Sequence, residues 1–154
     1  METMDKTTLP QIALYLQDSP GKGRGVFAAQ RIEASTLIAV CPVLLFSDSN
    51  AGVPGDISSE REVLNSYTYT WDGYTQALSL GLGSMFNHTR KCNVSFKIDK
   101  DNMLIRYYTL TTVDIDTELC INYGPKLWFA DGEAERSDAE SSDEEGGFLG
   151  RIEL

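Results

Sequence analysis

The single histidine, His88, directly follows Asn87 in the run Gly81–Asn93, read as GLGSMFNHTRKCN. The run is apolar and glycine-spaced before the pair, and polar and cationic after it. Polar side chains that close an apolar run are half buried and need partners. Neutral Asn and His each carry a donor and an acceptor. Such a pair can fix a tight chain crossing and leave backbone groups free for a ligand. The plainer alternative is that it only staples a loop. A nucleophilic pairing of Cys92 or Cys120 with His88 is a weaker reading, since no motif accompanies the histidine and a thiol nucleophile needs an activating site. With one histidine and no Cys-x-x-Cys pattern, no metal site is predicted.

Two further stretches stand in order around this one: Gly21–Ala28, GKGRGVFA, and Glu118–Gly124, ELCINYG. Together they give Gly23-Arg24-Gly25, then Asn87-His88-Thr89 with Asn93, then Glu118-Leu119 with Tyr123-Gly124. In order and spacing this resembles the SET-domain protein lysine methyltransferases over about Ile12–Phe129, and most of all the small stand-alone fungal SET proteins. The Gly-x-Gly element alone is weak and could be a plain turn; the three ordered elements carry the resemblance.

The resemblance implies transfer of a methyl group from S-adenosylmethionine to a lysine side chain of a protein. Such a displacement needs alignment, dryness and an uncharged amine, and alignment alone can contribute roughly 7–11 kcal/mol. A free lysine has a pKa near ~10.4. An apolar channel and a nearby sulfonium both lower it. The resemblance places Lys22, Gly23, Arg24 and Gly25 at the amino-acid end of the cofactor. There the glycines allow close backbone approach and positive φ, and Arg24 either pairs the cofactor carboxylate or stays solvated. Asn87 and His88 carry over to the cofactor-binding pair, and Asn93 to a later Asn that braces a knot. The family's usual Pro before that Asn is replaced by Cys92. Tyr123 matches the catalytic tyrosine. With an ordinary pKa of about 10 it is a poor base, so it is expected to orient amine and methyl through weak C–H···O contacts. Trp128 and Phe129 follow at the spacing of an aromatic that packs on adenine, and could replace the cysteine-rich zinc segment that many relatives carry after the tyrosine.

Tyr67, Tyr69 and Trp71 could line the lysine channel, because aromatic faces hold alkylammonium groups; an aromatic strand is also ordinary core. Phe96 and Ile121 are expected near the amine. In the family that the chain resembles, a Phe or Tyr near the amine tunes the number of methyls added; neither residue here is a tyrosine, which by that resemblance favours more than one methyl per lysine. The rival to an enzyme is a non-catalytic SET-like module that binds a basic tail.

The elements that must position these residues read as short strands. Ile12–Leu16, Val26–Ala28, Tyr67–Trp71, Asn93–Ile98, Met103–Leu110 and Glu118–Tyr123 have strand composition, the fourth and fifth forming a hairpin. Thr36–Phe46 is a long β-branched stretch that Pro42 should break or confine to an edge. Asp18–Gly25 reads as loop, Gln76–Leu82 as either strand or coil, and Ser58 or Ser59 as the cap of a short helix through Leu64. The predicted fold class is mainly β with minor helix. The resemblance makes it a SET-type β-clip of small curved sheets, with Ala77–Asn93 threaded beneath Glu118–Tyr123 as a C-terminal pseudoknot.

The chain has 154 residues, the length of a single domain with a real core. A flexible N-terminus over 1–10, a SET domain over 11–130 and an acidic tail over 131–154 with a short apolar end are expected. The net charge is −10. Eight acids and one base fall in Asp131–Glu145, and without them 15 acids face 12 bases, a net of −3. An acidic balance argues against direct nucleic-acid binding and favours a basic protein partner, most plausibly a histone. Three unpaired cysteines fit a reducing compartment, nucleus or cytoplasm. No run of 18 apolar residues predicts a membrane span. A homodimer through Thr36–Phe46 or the C-terminal end is a further expectation.

Overall fold

The computed structural model describes residues 11–47 and 63–123. Nine strands follow one another: β1 (Leu14–Ser19), β2 (Gly23–Ala28), β3 (Leu37–Ser47), β4 (Thr68–Asp72), β5 (Thr75–Ser79), β6 (Asn87–His88), β7 (Val94–Asp99), β8 (Leu104–Thr109) and β9 (Glu118–Ile121). A single 3-10 turn, Gly83–Met85, separates β5 from β6, and residues 63–65 are helical. The mainly β expectation holds. The capping part of the predicted short helix, the segment 1–10, residues Trp128 and Phe129, and the acidic run lie outside the described residues.

The strands make two sheets. One has four strands in the order β1-β2-β9-β6, the other five in the order β4-β5-β3-β8-β7. In the first, the last of the described strands is inserted between the β1–β2 hairpin and the two-residue Asn87–His88 strand. It runs antiparallel to β2 and parallel to β6. This pairing brings Asn87–His88 beside Glu118–Ile121, as the resemblance implies.

The Asp18–Gly25 loop is corrected. β1 runs on to Ser19 and β2 begins at Gly23, with pairing from Leu14↔Ala28 to Ser19↔Gly23. The glycines do not exclude a strand here, because the tight turn between the strands uses them. Gly21 and Gly23 both take φ +74°, a conformation that costs glycine little.

Pro42 neither breaks β3 nor sits on an edge. β3 is the middle strand of its sheet, yet it changes partner at the proline. Leu37–Pro42 pair with β8, and Val43–Ser47 pair with β5. A missing N–H is tolerated at this handover, where the Pro42 carbonyl still accepts from Leu80 N at 2.9 Å. Alternation along β3 sends Cys41 and Val43 inward, and Pro42 and Leu44 outward.

Both sheets supply one core. Val26, Ala28, Leu119 and Ile121 from the first join Ile38, Val43, Ala77, Val94, Ile105 and Tyr107 from the second, with Phe86 between them in sequence. Trp71 is 6% exposed and belongs to this core. The antiparallel bridge Ile32↔Val113 ties the connections that precede β3 and β9. The compact unit that holds both sheets ends at Asn122.

Candidate active site

The three sequence elements meet on the four-stranded sheet. β6 is only two residues long because it is held at both: Asn87 registers with Cys120 and His88 with Ile121. Thr89 N extends the ladder to the Ile121 carbonyl at 3.1 Å. Asn93 supplies a second support from its side chain. Its Nδ2 donates to the Glu118 carbonyl at 2.8 Å, and its Oδ1 accepts from Cys120 N at 2.8 Å. An amide thereby serves β9 as a neighbouring strand would, as expected of a brace, and Cys92 in place of proline does not prevent it.

The glycine turn reaches the same place from the other side. Lys22 Nζ donates to the His88 carbonyl at 3.0 Å. His88 is 6% exposed, so the cation grips the backbone of a buried residue. An ideal Cβ at Gly23 would meet nothing within 4 Å, so this backbone is open to close approach.

Gly25 departs from expectation on both counts. Its φ is not positive, and the space above it is filled: a Cβ would meet Glu118 Oε1 and come within 2.8 Å of Asn87 Nδ2. On its Cβ side, Gly25 makes room for two protein side chains.

Those side chains form the centre of the site. Glu118 Oε1 accepts from Asn87 Nδ2 at 2.7 Å, and its Oε2 accepts from Ser19 Oγ at 2.8 Å. The Arg24 carbonyl lies 3.4 Å from the same amide nitrogen. Glu118 and Ser19 were missed as site residues in the sequence reading. The available signal was an acid opening an otherwise apolar strand, ELCI.

An aromatic cluster lies on the five-stranded sheet and the 3-10 turn. Tyr69 packs edge-on against Phe96 with ring centroids 5.0 Å apart, and its hydroxyl donates to the Gly83 carbonyl at 2.7 Å. Tyr107 is the unforeseen member. Its oxygen lies 3.0 Å from both Tyr69 Oη and Ser79 Oγ, and 3.2 Å from the Gly83 carbonyl. The signal for it was the period-2 pattern of β8, which sends Tyr107 inward with Ile105. Tyr69 and Phe96 are thus brought together. Tyr67 is 48% exposed on the turn before β4, and Ile121 is buried in the core.

Tyr123 follows β9 by two residues and is 38% exposed. Among the described residues no cluster of His, Cys, Asp or Glu could hold a metal ion.

The donor set suits S-adenosylmethionine. The side-chain-free face at Gly23 and the cations Lys22 and Arg24 match a zwitterionic amino-acid end, and the Asn87 amide adds a neutral polar contact.

Comparison with known proteins gives the family. Residues 23–124 match the SET domain family. A Schizosaccharomyces pombe protein, described as a histone-lysine N-methyltransferase specific for H3 lysine-37, is 48% identical over 132 residues, 86% of each chain. A solved Plasmodium falciparum protein, proposed to be a histone methyltransferase, superposes with a TM-score of 0.61 at 27% identity, over 78% of this chain and 100% of that one. A humanized mutant of the Chaetomium thermophilum Polycomb Repressive Complex 2 bound to an inhibitor shares the fold, with a TM-score of 0.58 at 23% identity, over 73% of this chain and 15% of that one. With the family matched from the glycine turn through Tyr123, and the Asn-His strand locked to the strand that leads there, the chain belongs to the SET domain family.

Proposed function

We propose that the protein is an S-adenosylmethionine-dependent protein-lysine N-methyltransferase acting on a histone tail in the nucleus. The observation that carries this is the meeting of all three motifs on one small sheet, in a chain 48% identical to a histone H3 methyltransferase over most of its length. Lys22, Gly23, Arg24, Asn87, His88, Tyr123 and Trp128 would hold the cofactor, which supplies an electrophilic methyl group when bound. The protein's part is to bind, align and keep out water. Tyr69 and Phe96 offer an aromatic wall against which the alkylammonium chain of a substrate lysine can lie. The Tyr123 hydroxyl orients the neutral amine and is not asked to take its proton. Phe96 carries no hydroxyl, which favours addition of more than one methyl.

Isothermal titration with S-adenosylmethionine, then intact-mass analysis of core histones after incubation, tests the reading. Binding with mass steps of one methyl unit is expected. Binding without any step on core histones would favour a module that only holds a basic tail. Absence of binding would overturn the assignment.

A further inference from the structure

Glu118 is the one carboxylate at the centre of the described site, and methyl transfer gives it no task. It is nonetheless held from several sides. Its backbone registers with Phe27 of β2, its carbonyl accepts from Asn93, and its two oxygens go separately to Asn87 and Ser19. A carboxylate only accepts. The Asn87 amide can therefore face it only with its nitrogen, and the Arg24 carbonyl, a second acceptor beside the same nitrogen, sets the same preference. The orientation of an amide is otherwise decided only by its partners. Gly25 preserves the pair, since a methyl group there would collide with both partners.

We propose that Glu118 is a positioning residue of the cofactor site: by holding the Asn87 amide nitrogen, it makes Asn87 offer its carbonyl oxygen to a nitrogen donor of the cofactor. This rests on Asn87 belonging to that site. Ser19 restrains the carboxylate from behind, and Gly25 gives it room.

Titration of the full chain with S-adenosylmethionine reads the effect. Glu118→Ala should weaken binding by about tenfold or more, the consequence of leaving a part-buried amide donor with only the long 3.4 Å contact to the Arg24 carbonyl. Glu118→Gln should recover most of that loss, because its oxygen still accepts from Asn87 and its nitrogen can donate to Ser19. Asn87→Asp should bind poorly, with two carboxylates facing each other. Adding Glu118→Gln to Asn87→Asp should restore binding, since the new amide donates to one Asp oxygen and leaves the other as acceptor. A double variant as weak as Asn87→Asp alone would overturn the proposal.

A second measurement needs no cofactor. In 15N-HSQC spectra the Asn87 side-chain amide, assigned by its loss in Asn87→Asp, should exchange slowly with water in the wild type and in Glu118→Gln, and fast in Glu118→Ala. Equal exchange in all three would overturn the proposal whatever the titrations show. Should Glu118→Ala not fold, the Asn87→Asp pair of variants decides. Failure of the wild type to bind cofactor would instead remove the functional reading, and the exchange data would still judge Glu118.

Discussion

A methyl group added at Gly25 has nowhere to go, because Glu118 and Asn87 already occupy the space. Gly25→Ala should cost about 1–3 kcal/mol by overpacking, read as a lowered denaturation midpoint, and should weaken cofactor binding with it. Tyr123 stands at the other extreme, 38% exposed. Tyr123→Phe should cut methyl transfer on the order of 10²-fold through lost alignment while leaving cofactor affinity near that of the wild type; equal loss of both would contradict the orienting role. Asp99 illustrates a titrating residue with no part in the site. The Asn102 amide first, and Arg106 next, hold its carboxyl down to about 2 from 3.8. A carboxyl lowered in the folded state adds stability that is present above its unfolded value and lost as pH falls through the folded one. Between about pH 4 and pH 2, the melting temperature of the wild type should fall more steeply than that of Asp99→Asn.

At the scale of elements, the two-residue strand β6 cannot stand alone. Its order comes from β9, and β9 in turn leans on Asn93. Asn93→Ala strips a partner from Cys120 N and another from the Glu118 carbonyl. A loss of about 2 kcal/mol or more is expected, together with faster amide exchange at Cys120. The aromatic cluster depends on Gly83 in a similar way. A Cβ there would press on Ser79 and lie 2.6 Å from Tyr107 Oη, so the 3-10 turn depends on glycine where the Tyr69 and Tyr107 hydroxyls converge on its carbonyl. β3 shows how an element can evade a local rule. Proline is poor in a central strand, but a strand that hands over from one neighbour to another has a position where the missing donor matters little.

For the whole molecule, charge is the readable property. With a net charge of −10, attraction to a basic tail should be long-ranged and screened by salt. kcat/KM on a histone-tail peptide should therefore fall as ionic strength rises, while S-adenosylmethionine affinity changes little. Intact-mass analysis at completion should show more than one methyl per lysine, and a product that stops at a single addition would count against the Phe96 argument.

The family, the strand-rich class and the order of the three motifs were legible in the sequence, because they rest on residue identities at short spacing. Strand composition and turn residues located most strands to within a few residues, and the resemblance gave Asn93 as a brace. Three features depended on partners remote in the chain. Gly25 was read as open to a ligand because a glycine does not announce what fills the space beside it. Pro42 pointed to a break or an edge because single-chain rules cannot see a change of neighbour. Glu118, Ser19 and Tyr107 were passed over because a carboxylate or hydroxyl acquires meaning only from the group it meets, here 31, 99 and 28 residues away at Asn87, Glu118 and Ser79. Local chemistry is written in the sequence. Which side chain faces which is decided only when distant strands close on one another, since hydrogen bonds and excluded volume act over a few ångströms of space and not along the chain.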